Sequence, residues 1–158
     1  MSIARFLRVS QAQYASAALP DALPVDGIPL PRRATAGSAG YDFICPAEVT
    51  LAPGEAVTVP TGIRCEMQPG WVLMLFPRSG LGFKYQLRLA NTVGVIDSDY
   101  FHADNEGHIM VRIVNGGQKA VTIGRGERFC QGVFLPHGIA EEDAVLTDRS
   151  GGFGSTGV

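Results

Sequence analysis

Apolar residues in this chain are gathered into short runs separated by turn signals. Four runs are rich in the β-branched and aromatic residues that favour strands, and they cover residues 56–59, 71–76, 109–114 and 129–134. In the third run Ile109, Val111 and Ile113 alternate with other residues, so they share one face of a strand. Turn signals containing Gly or Pro lie at residues 53–54, 69–70, 79–80, 115–117 and 124–126. This pattern predicts a compact all-β barrel or sandwich.

The N-terminal part of the chain is patterned differently. Residues 3–9 alternate well enough to predict an opening strand. Ser10 followed by Gln13 suggests a capping box, so we expect one short helix that ends at about Ala18. Four prolines between residues 19 and 37 predict an extended surface segment. No apolar pattern at 3.6-residue spacing persists beyond this helix, and no repeat or interdomain linker is evident, which favours a single domain.

Composition narrows the class of protein further. The chain has 158 residues, of which 46% are hydrophobic and 18% charged, as expected for one globular domain with a real core. A net charge of −2 argues against a duplex nucleic-acid partner, which would usually require a basic face. A small anionic ligand needs only local positive charge and is not excluded. The 20 Gly and 10 Pro residues suit many short strands and turns.

The cysteines and the hydropathy bear on the cellular compartment. Cys45, Cys65 and Cys130 are odd in number and lack C-x-x-C spacing, so we expect core thiols, with neither a disulfide framework nor a zinc site. The N-terminus has no long apolar segment of the secretory type, and no run approaches the length of a membrane span. These features predict a cytoplasmic protein without a membrane partner.

Two carboxylates follow an apolar run in residues 91–100. Asp97 and Asp99 would point the same way if the chain is extended there, and Tyr100 comes directly after them. Two aligned carboxylates are costly unless a cation or a water lies between them, so a general base or a metal site is one interpretation. A polar turn after a buried strand is the other, and the residues alone favour neither.

Three further segments carry groups that suit a phosphate ligand. Arg78, Ser79 and Gly80 follow a predicted strand and place a guanidinium, a hydroxyl and backbone donors together. An ordinary turn that contains Arg explains this segment equally well. Asp42 in residues 38–42 could orient an Arg or a metal-bound water, although a turn acid is the simpler interpretation, and Gln131 says little by itself.

The last ten residues, 149–158, contain four glycines, one arginine, one phenylalanine and hydroxyl side chains. Glycines allow backbone N–H groups to wrap an anion, and an aromatic ring can stack on a base. A mobile arm that closes over a nucleotide is therefore one interpretation, and a frayed terminus is the other. The three histidines lack metal-ligand spacing, and we expect His102 and His108 to lie in a solvated loop.

Taken in this order, the five segments resemble the trimeric deoxyuridine triphosphate nucleotidohydrolase (dUTPase) family from about residue 34 to the C-terminus. The resemblance implies an all-β, jelly-roll-like β-barrel over residues 1–148 and a flexible C-terminal arm at 149–158 that closes over the active site. It implies a homotrimer with shared active sites. The implied reaction converts dUTP and water to dUMP and pyrophosphate with Mg²⁺, which keeps uracil out of DNA and supplies dUMP for thymidylate synthesis.

The resemblance also implies roles for individual residues. Asp97 would activate the attacking water, and Asp42 would act through a metal-bound water and Arg contacts, with Mg²⁺ held mainly by the substrate phosphates. Tyr100 would pack on the deoxyribose, Asn91 and the backbone of residues 94–96 would bind uracil, and Phe153 would stack on the base. The full set of implied substrate-binding residues is Arg78, Ser79, Gly80, Asn91, Gly94, Val95, Ile96, Tyr100, Gln131, Arg149, Phe153, Gly154, Ser155 and Thr156.

Three departures from the family pattern are visible. Residues 101–107 resemble a short insertion after Tyr100, residues 10–33 resemble a lineage-specific extension, and the arm is one residue short between Arg149 and Gly151. Two alternative functions stay open. One is a dCTP deaminase of the same fold, and the other is a dUTP-gated interaction protein that would use residues 101–107 for docking.

Overall fold

The computed structural model describes residues 2–143 and 145, and strands dominate them. Two short α-helices and two 3-10 helices, Val25–Gly27 and Ser98–His102, interrupt the strands. The helices are α1 (Gln11–Ala15) and α2 (Ser79–Tyr85). The strands are β1 (Ala4–Arg8), β2 (Arg32–Arg33), β3 (Tyr41–Ile44), β4 (Val49–Leu51), β5 (Ala56–Pro60), β6 (Ile63–Met67), β7 (Trp71–Pro77), β8 (Leu87–Leu89), β9 (Gly94–Ile96), β10 (Met110–Asn115), β11 (Val121–Ile123) and β12 (Arg128–Pro136).

The strand pairings of the described residues are all antiparallel. The largest sheet has the order β2-β3-β12-β7-β9, and the next has the order β5-β10-β8. Two further pairs join β1 to β6 and β4 to β11. The predicted all-β fold and the predicted opening strand are confirmed, and so is each of the four runs, which became β5, β7, β10 and β12.

Alternation along the strands produces the core. In β10, Val111 and Ile113 are buried while Arg112 between them is exposed, as the sequence pattern predicts. Phe43 and Phe129 are buried with them in the same core. Each such side chain contributes about 1.5–3 kcal/mol when fully removed from water. The three cysteines are free and buried, as expected of core thiols.

The predicted capping at the first helix is half realised. The Ser10 hydroxyl accepts a hydrogen bond from the Gln13 N–H at 3.1 Å, and α1 begins at the next residue. The return contact does not come from Gln13, because the Ser10 N–H donates to the Glu106 carboxylate at 2.8 Å. A distant loop thus completes the cap, and α1 ends at Ala15, three residues before the predicted end.

Two expectations about irregular segments need correction. Residues 19–37 are not only a surface segment, because Val25, the first residue of a 3-10 helix, and Ile28, the residue after it, are buried in the core. A second α-helix, α2, lies where the sequence suggested a loop. Its two glycines are poor helix formers, but burial of Leu81 and a left-handed C-cap at Gln86 (φ +53°) stabilise and end the helix.

Candidate active site

A cavity of about 720 Å³ lies beside residues 90–93, which join β8 to β9 and are called here the β8–β9 turn, and β10 supplies part of the cavity wall. This volume falls in the range of small-molecule sites. The structure places six of the residues that the sequence nominated on its wall. These are Asn91, Gly94, Val95, Ile96, Asp97 and Tyr100.

A backbone hydrogen bond and a strand pairing fix the β8–β9 turn beside the cavity. The Thr92 N–H closes the turn by donating to the Leu89 carbonyl at 3.0 Å, and Thr92 adopts a left-handed conformation (φ +68°). After the turn, Gly94 pairs with Leu75 of β7. A Cβ at Gly94 would lie 3.0 Å from the Cβ of Leu75, so this close contact between strands favours glycine.

Asp97 lies immediately after β9 and begins the 3-10 helix, where its carbonyl accepts the Tyr100 N–H at 3.2 Å. Among the described residues that line the cavity, Asp97 is the one carboxylate. The expectation that Asp97 and Asp99 align is wrong, because the chain leaves the extended conformation at Ser98 and Asp99 lies exposed in the 3-10 helix. A single acid therefore faces the cavity from this segment.

Tyr100 forms part of the cavity wall and is only 7% exposed. Its hydroxyl donates to the His108 carbonyl at 2.9 Å and accepts from the Asn105 side-chain amide at 2.8 Å. Both contacts come from residues beyond the 3-10 helix: Asn105 lies in the segment that resembles an insertion, and His108 follows that segment directly.

His108 is fully buried, which corrects the expectation of a solvated loop, whereas His102 is exposed. The Nε2 atom of His108 accepts the Gly62 N–H at 2.9 Å, so the His108 ring is neutral with its proton on Nδ1. Burial lowers the pKa of His108 to about 4, although Glu106 nearby acts in the opposite direction. The sequence missed this because the hydrophilic residues before His108 concealed its burial.

A second group of nominated residues lies on the large sheet. The Asp42 carboxylate, whose side chain is 10% exposed, accepts from Arg78 Nε and from Arg128 Nη1, each at 3.1 Å. Asp42 is paired across the strands with Gln131. We call Asp42, Arg78, Arg128 and Gln131 the arginine cluster.

Arg128 is a member of this cluster that was not predicted from the sequence. In a regular strand Arg128 and Gln131 would face opposite sides of the sheet. A register shift between Arg128 and Cys130 breaks that alternation and lets Arg128 reach the acid that pairs with Gln131. A bulge of this kind leaves no clear signal in one sequence.

Ser79 and Gly80 lie beside the cluster in the first turn of α2 and are exposed. The N–H groups of a first turn have no partner within the helix, so these residues offer donors next to the Arg78 guanidinium. Gln131 packs against Gly40, because its side chain occupies the space that a Cβ at residue 40 would need. The arrangement suits a multiply charged anion.

The structure does not bring the two groups together within one chain. None of the described residues of the arginine cluster lines the cavity. Arg149, Phe153, Gly154, Ser155 and Thr156 lie outside the described residues. Over residues 2–143 and 145, no group of three His, Cys, Asp or Glu side chains could hold a metal ion, and no helix is long and apolar enough to cross a membrane.

A β fold with a cavity of small-molecule size and a separate group of donors that suits an anion favours a ligand with a neutral and an anionic part, as in a nucleotide. Comparison with known proteins makes this specific. The dUTPase family model matches residues 26–157. A deoxyuridine 5'-triphosphate nucleotidohydrolase of Lactococcus lactis is 46% identical over 134 residues, which cover 83% of this chain and 89% of the relative.

Two further comparisons agree. A deoxyuridine 5'-triphosphate nucleotidohydrolase of Hahella chejuensis is 47% identical over 138 residues, covering 82% of this chain and 88% of the relative. The crystal structure of a dUTPase from Streptococcus mutans superposes with a TM-score of 0.69 at 38% identity and covers 86% of this chain and 98% of that one. The chain therefore belongs to the dUTPase family, and its jelly-roll-like β fold is confirmed.

Proposed function

We propose that the protein hydrolyses dUTP to dUMP and pyrophosphate by attack of water on the α-phosphorus, with Asp97 as the general base. One observation carries this assignment. Asp97 is the single carboxylate among the described residues of a cavity wall on which most side chains are apolar and which also carries Asn91 and Arg112. A positioned base that deprotonates a water during in-line attack contributes about 10²–10⁴-fold to the rate. The reaction removes dUTP, which keeps uracil out of DNA, and supplies dUMP for thymidylate synthesis.

The β8–β9 turn and the free edge of β9 suit recognition of uracil. β9 is the last strand of its sheet, so the N–H and C=O groups on its far edge are left over from the ladder with β7. Those groups on residues 94–96, together with the Asn91 amide, can match the donor and acceptor edge of uracil. Cytosine carries an amino group where uracil has O4, and it would leave buried groups unpaired. The tight turn at Thr92 leaves little room for the 5-methyl group of thymine.

Tyr100 supplies the wall against the sugar. Its ring lines the cavity three residues after Asp97, so a nucleoside with its α-phosphate at Asp97 lays its sugar on this ring. With the ring fixed at that depth, the cavity has room for 2′-deoxyribose, whereas the 2′-hydroxyl of ribose would clash with the ring.

We assign the phosphate chain to the arginine cluster of a neighbouring protomer. Arg78, Ser79, Gly80 and Gln131 offer cationic and neutral donors, while Asp42 holds the Arg78 guanidinium in place. These residues do not line the cavity of their own chain. A homotrimer with shared active sites would bring them to it. The arm, residues 149–158, would close the site with Phe153 on the base and with Arg149, Gly154, Ser155 and Thr156 on the phosphates.

Magnesium fits this arrangement with few protein ligands. Both oxygens of Asp42 are paired with guanidinium groups, which suits contact with a metal through water. The substrate phosphates would supply the direct ligands. A bound Mg²⁺ neutralises phosphate charge and favours departure of pyrophosphate.

The two alternative functions are not favoured. Deamination of dCTP would require attack at a cytosine carbon, whereas the curated relatives are nucleotidohydrolases. A docking role for residues 101–107 fits poorly with a loop whose Ala103 and Gly107 are buried. We keep the cytoplasm as the proposed compartment, because free buried thiols suit a reducing environment.

The proposal is tested by measuring pyrophosphate release from dUTP, dCTP, dTTP and UTP, each with and without Mg²⁺. We expect rapid release from dUTP with Mg²⁺ and little from the other three. Ammonia release from dCTP would indicate a deaminase. An intact dUTP pool in the presence of Mg²⁺ would overturn the assignment.

A further inference from the structure

The side-chain amide of Asn105 has one possible orientation. Its Oδ1 accepts the Gly107 N–H at 3.1 Å, which requires the oxygen on that side. Nδ2 therefore points the other way, where it donates to the Tyr100 hydroxyl at 2.8 Å and lies 3.4 Å from the His108 carbonyl. The turn closed by residues 105–107 thus aims a donor at the ring on the cavity wall.

The Tyr100 hydroxyl joins Asn105 to His108. Its oxygen accepts from the Asn105 amide, and its proton is donated to the His108 carbonyl at 2.9 Å. His108 is itself immobilised, since its buried ring accepts the Gly62 N–H. The hydroxyl end of Tyr100 is consequently held from two sides.

The loop that carries Asn105 is anchored to the barrel and to α1. The Glu106 carboxylate accepts the Ser10 N–H and hydroxyl at 2.8 and 2.6 Å, and these contacts lower the pKa of Glu106. Arg64 donates to the Phe101 carbonyl at 2.6 Å and covers the Phe101 ring at 3.7 Å.

The backbone also restrains this loop. Gly107 adopts φ +70°, and a Cβ there would lie 2.6 Å from the Tyr100 carbonyl oxygen. The loop therefore has little freedom to retreat from the ring.

We infer that Asn105 is a positioning residue that sets the sugar specificity of the enzyme, by holding Tyr100 at the depth where the cavity accepts 2′-deoxyribose and excludes ribose. The inference rests on the proposed function, because it concerns the wall that the proposal assigns to the sugar. It gives the apparent insertion after Tyr100 a task in substrate selection rather than in docking.

Asn105→Asp is the sharpest variant for a test. The aspartate keeps an oxygen for the Gly107 N–H and almost the same shape, but it cannot donate to Tyr100. Asn105→Ala removes both contacts. Asp104→Asn is the matched control, because Asp104 is the exposed neighbour on the same loop.

The measurement is the ratio of kcat/KM for dUTP to kcat/KM for UTP, with kcat and KM determined separately. Loss of one hydrogen bond predicts a fall of about two- to tenfold in this ratio for Asn105→Asp. We expect most of the change as a lower KM for UTP, and no change of the ratio in Asp104→Asn. A merely structural role would lower Tm and the activity on both substrates together, without moving the ratio.

A double-mutant cycle with Tyr100→Phe tests the route of the effect. If Asn105 acts through the Tyr100 hydroxyl, Asn105→Asp has no further effect on the ratio in the Tyr100→Phe background. An equal effect in both backgrounds would overturn the inference, and so would an unchanged ratio in the single variant.

Binding separates this inference from the proposed function. Calorimetry with dUMP and UMP measures the sugar preference without turnover, and the preference for dUMP is expected to weaken in Asn105→Asp. A wild-type protein that binds and hydrolyses dUTP selectively while the variants keep that selectivity would refute the role of Asn105 alone. A wild-type protein that leaves dUTP intact would refute both.

Discussion

In the proposed function, the cavity beside the β8–β9 turn and the arginine cluster bind different parts of a nucleotide through different interactions. Asp97 is the one carboxylate among the described residues of the cavity wall, where most side chains are apolar. In the cluster, Arg78 and Arg128 are one third to one half exposed around a nearly buried Asp42. We therefore expect shape and backbone groups to select the nucleoside, and charge to bind the phosphate chain. The following substitutions separate the two regions.

The largest effect is expected for Asp97→Asn. The amide cannot take a proton from water, so we expect kcat to fall by about 10³-fold while the affinity for dUMP is retained. Pyrophosphate release at saturating dUTP measures the loss. Asp99→Asn is the matched control, since Asp99 is exposed in the same 3-10 helix, and it should retain activity. Comparable losses in both variants would mean that Asp97 has no special role.

Acid should destabilise the folded protein through the buried His108. The pKa of His108 falls from 6.5 to about 4 on burial, so the folded state resists protonation of a group that the unfolded state protonates readily. The contribution of neutral His108 to the free energy of unfolding is fully present above pH 6.5 and is lost as the pH falls towards 4. It amounts to about 3 kcal/mol in total.

Urea unfolding of the wild type and of His108→Gln at pH 7 and pH 4 checks this prediction. Glutamine keeps an acceptor for the Gly62 N–H but does not titrate. The loss of stability between the two pH values should be smaller in the variant, and equal losses would contradict the prediction.

Arg78→Ala should affect the cluster and spare the cavity. Loss of charge-assisted hydrogen bonds to phosphate predicts a fall of about ten- to hundredfold in kcat/KM for dUTP. The inhibition constant of deoxyuridine, which has no phosphate, should stay unchanged. Arg125→Ala serves as the control, because Arg125 is exposed and donates to the Asp21 carbonyl at 3.2 Å, away from the arginine cluster. A parallel loss of deoxyuridine affinity would show that the two regions are not separable.

Gly94→Ala should disturb the cavity by steric means alone. The added Cβ would meet Leu75, so we expect a loss of about 1–3 kcal/mol in stability together with weaker binding of deoxyuridine. Thermal unfolding measures the first effect and inhibition the second. Gly37→Ala is the control, since no atom lies within 4 Å of a Cβ at that position. An undiminished Tm in Gly94→Ala would show that β7 and β9 accommodate the added methyl group without loss of stability.

Much of the fold follows from local patterns in the sequence. Strands such as β7 and β10 are strongly β-branched and aromatic, and Ser10 marks the start of α1. α2 could not be predicted, because its glycines oppose helix formation and the burial of Leu81 is a tertiary effect. Val25 and Ile28 were hidden in the same way among the prolines of their segment.

The site was predictable residue by residue, but its arrangement was not. Asp97 and Tyr100 were nominated from the sequence and do lie together on the cavity wall. Arg128 depended on a bulge, and Asn105 and His108 depended on a loop that folds back onto Tyr100. Contacts of this kind join residues through the folded chain, so no spacing along the sequence reveals them.

The buried thiols give the protein an internal reporter of its own opening. Burial raises the pKa of Cys45 to about 11 and that of Cys65 to about 12, so neither forms the thiolate that alkylating reagents require. Cys65 lies in β6 and Cys130 in β12, on separate sheets. The rates at which Cys65 and Cys130 are alkylated therefore report the transient opening of two different parts of the barrel, with no dye or engineered probe.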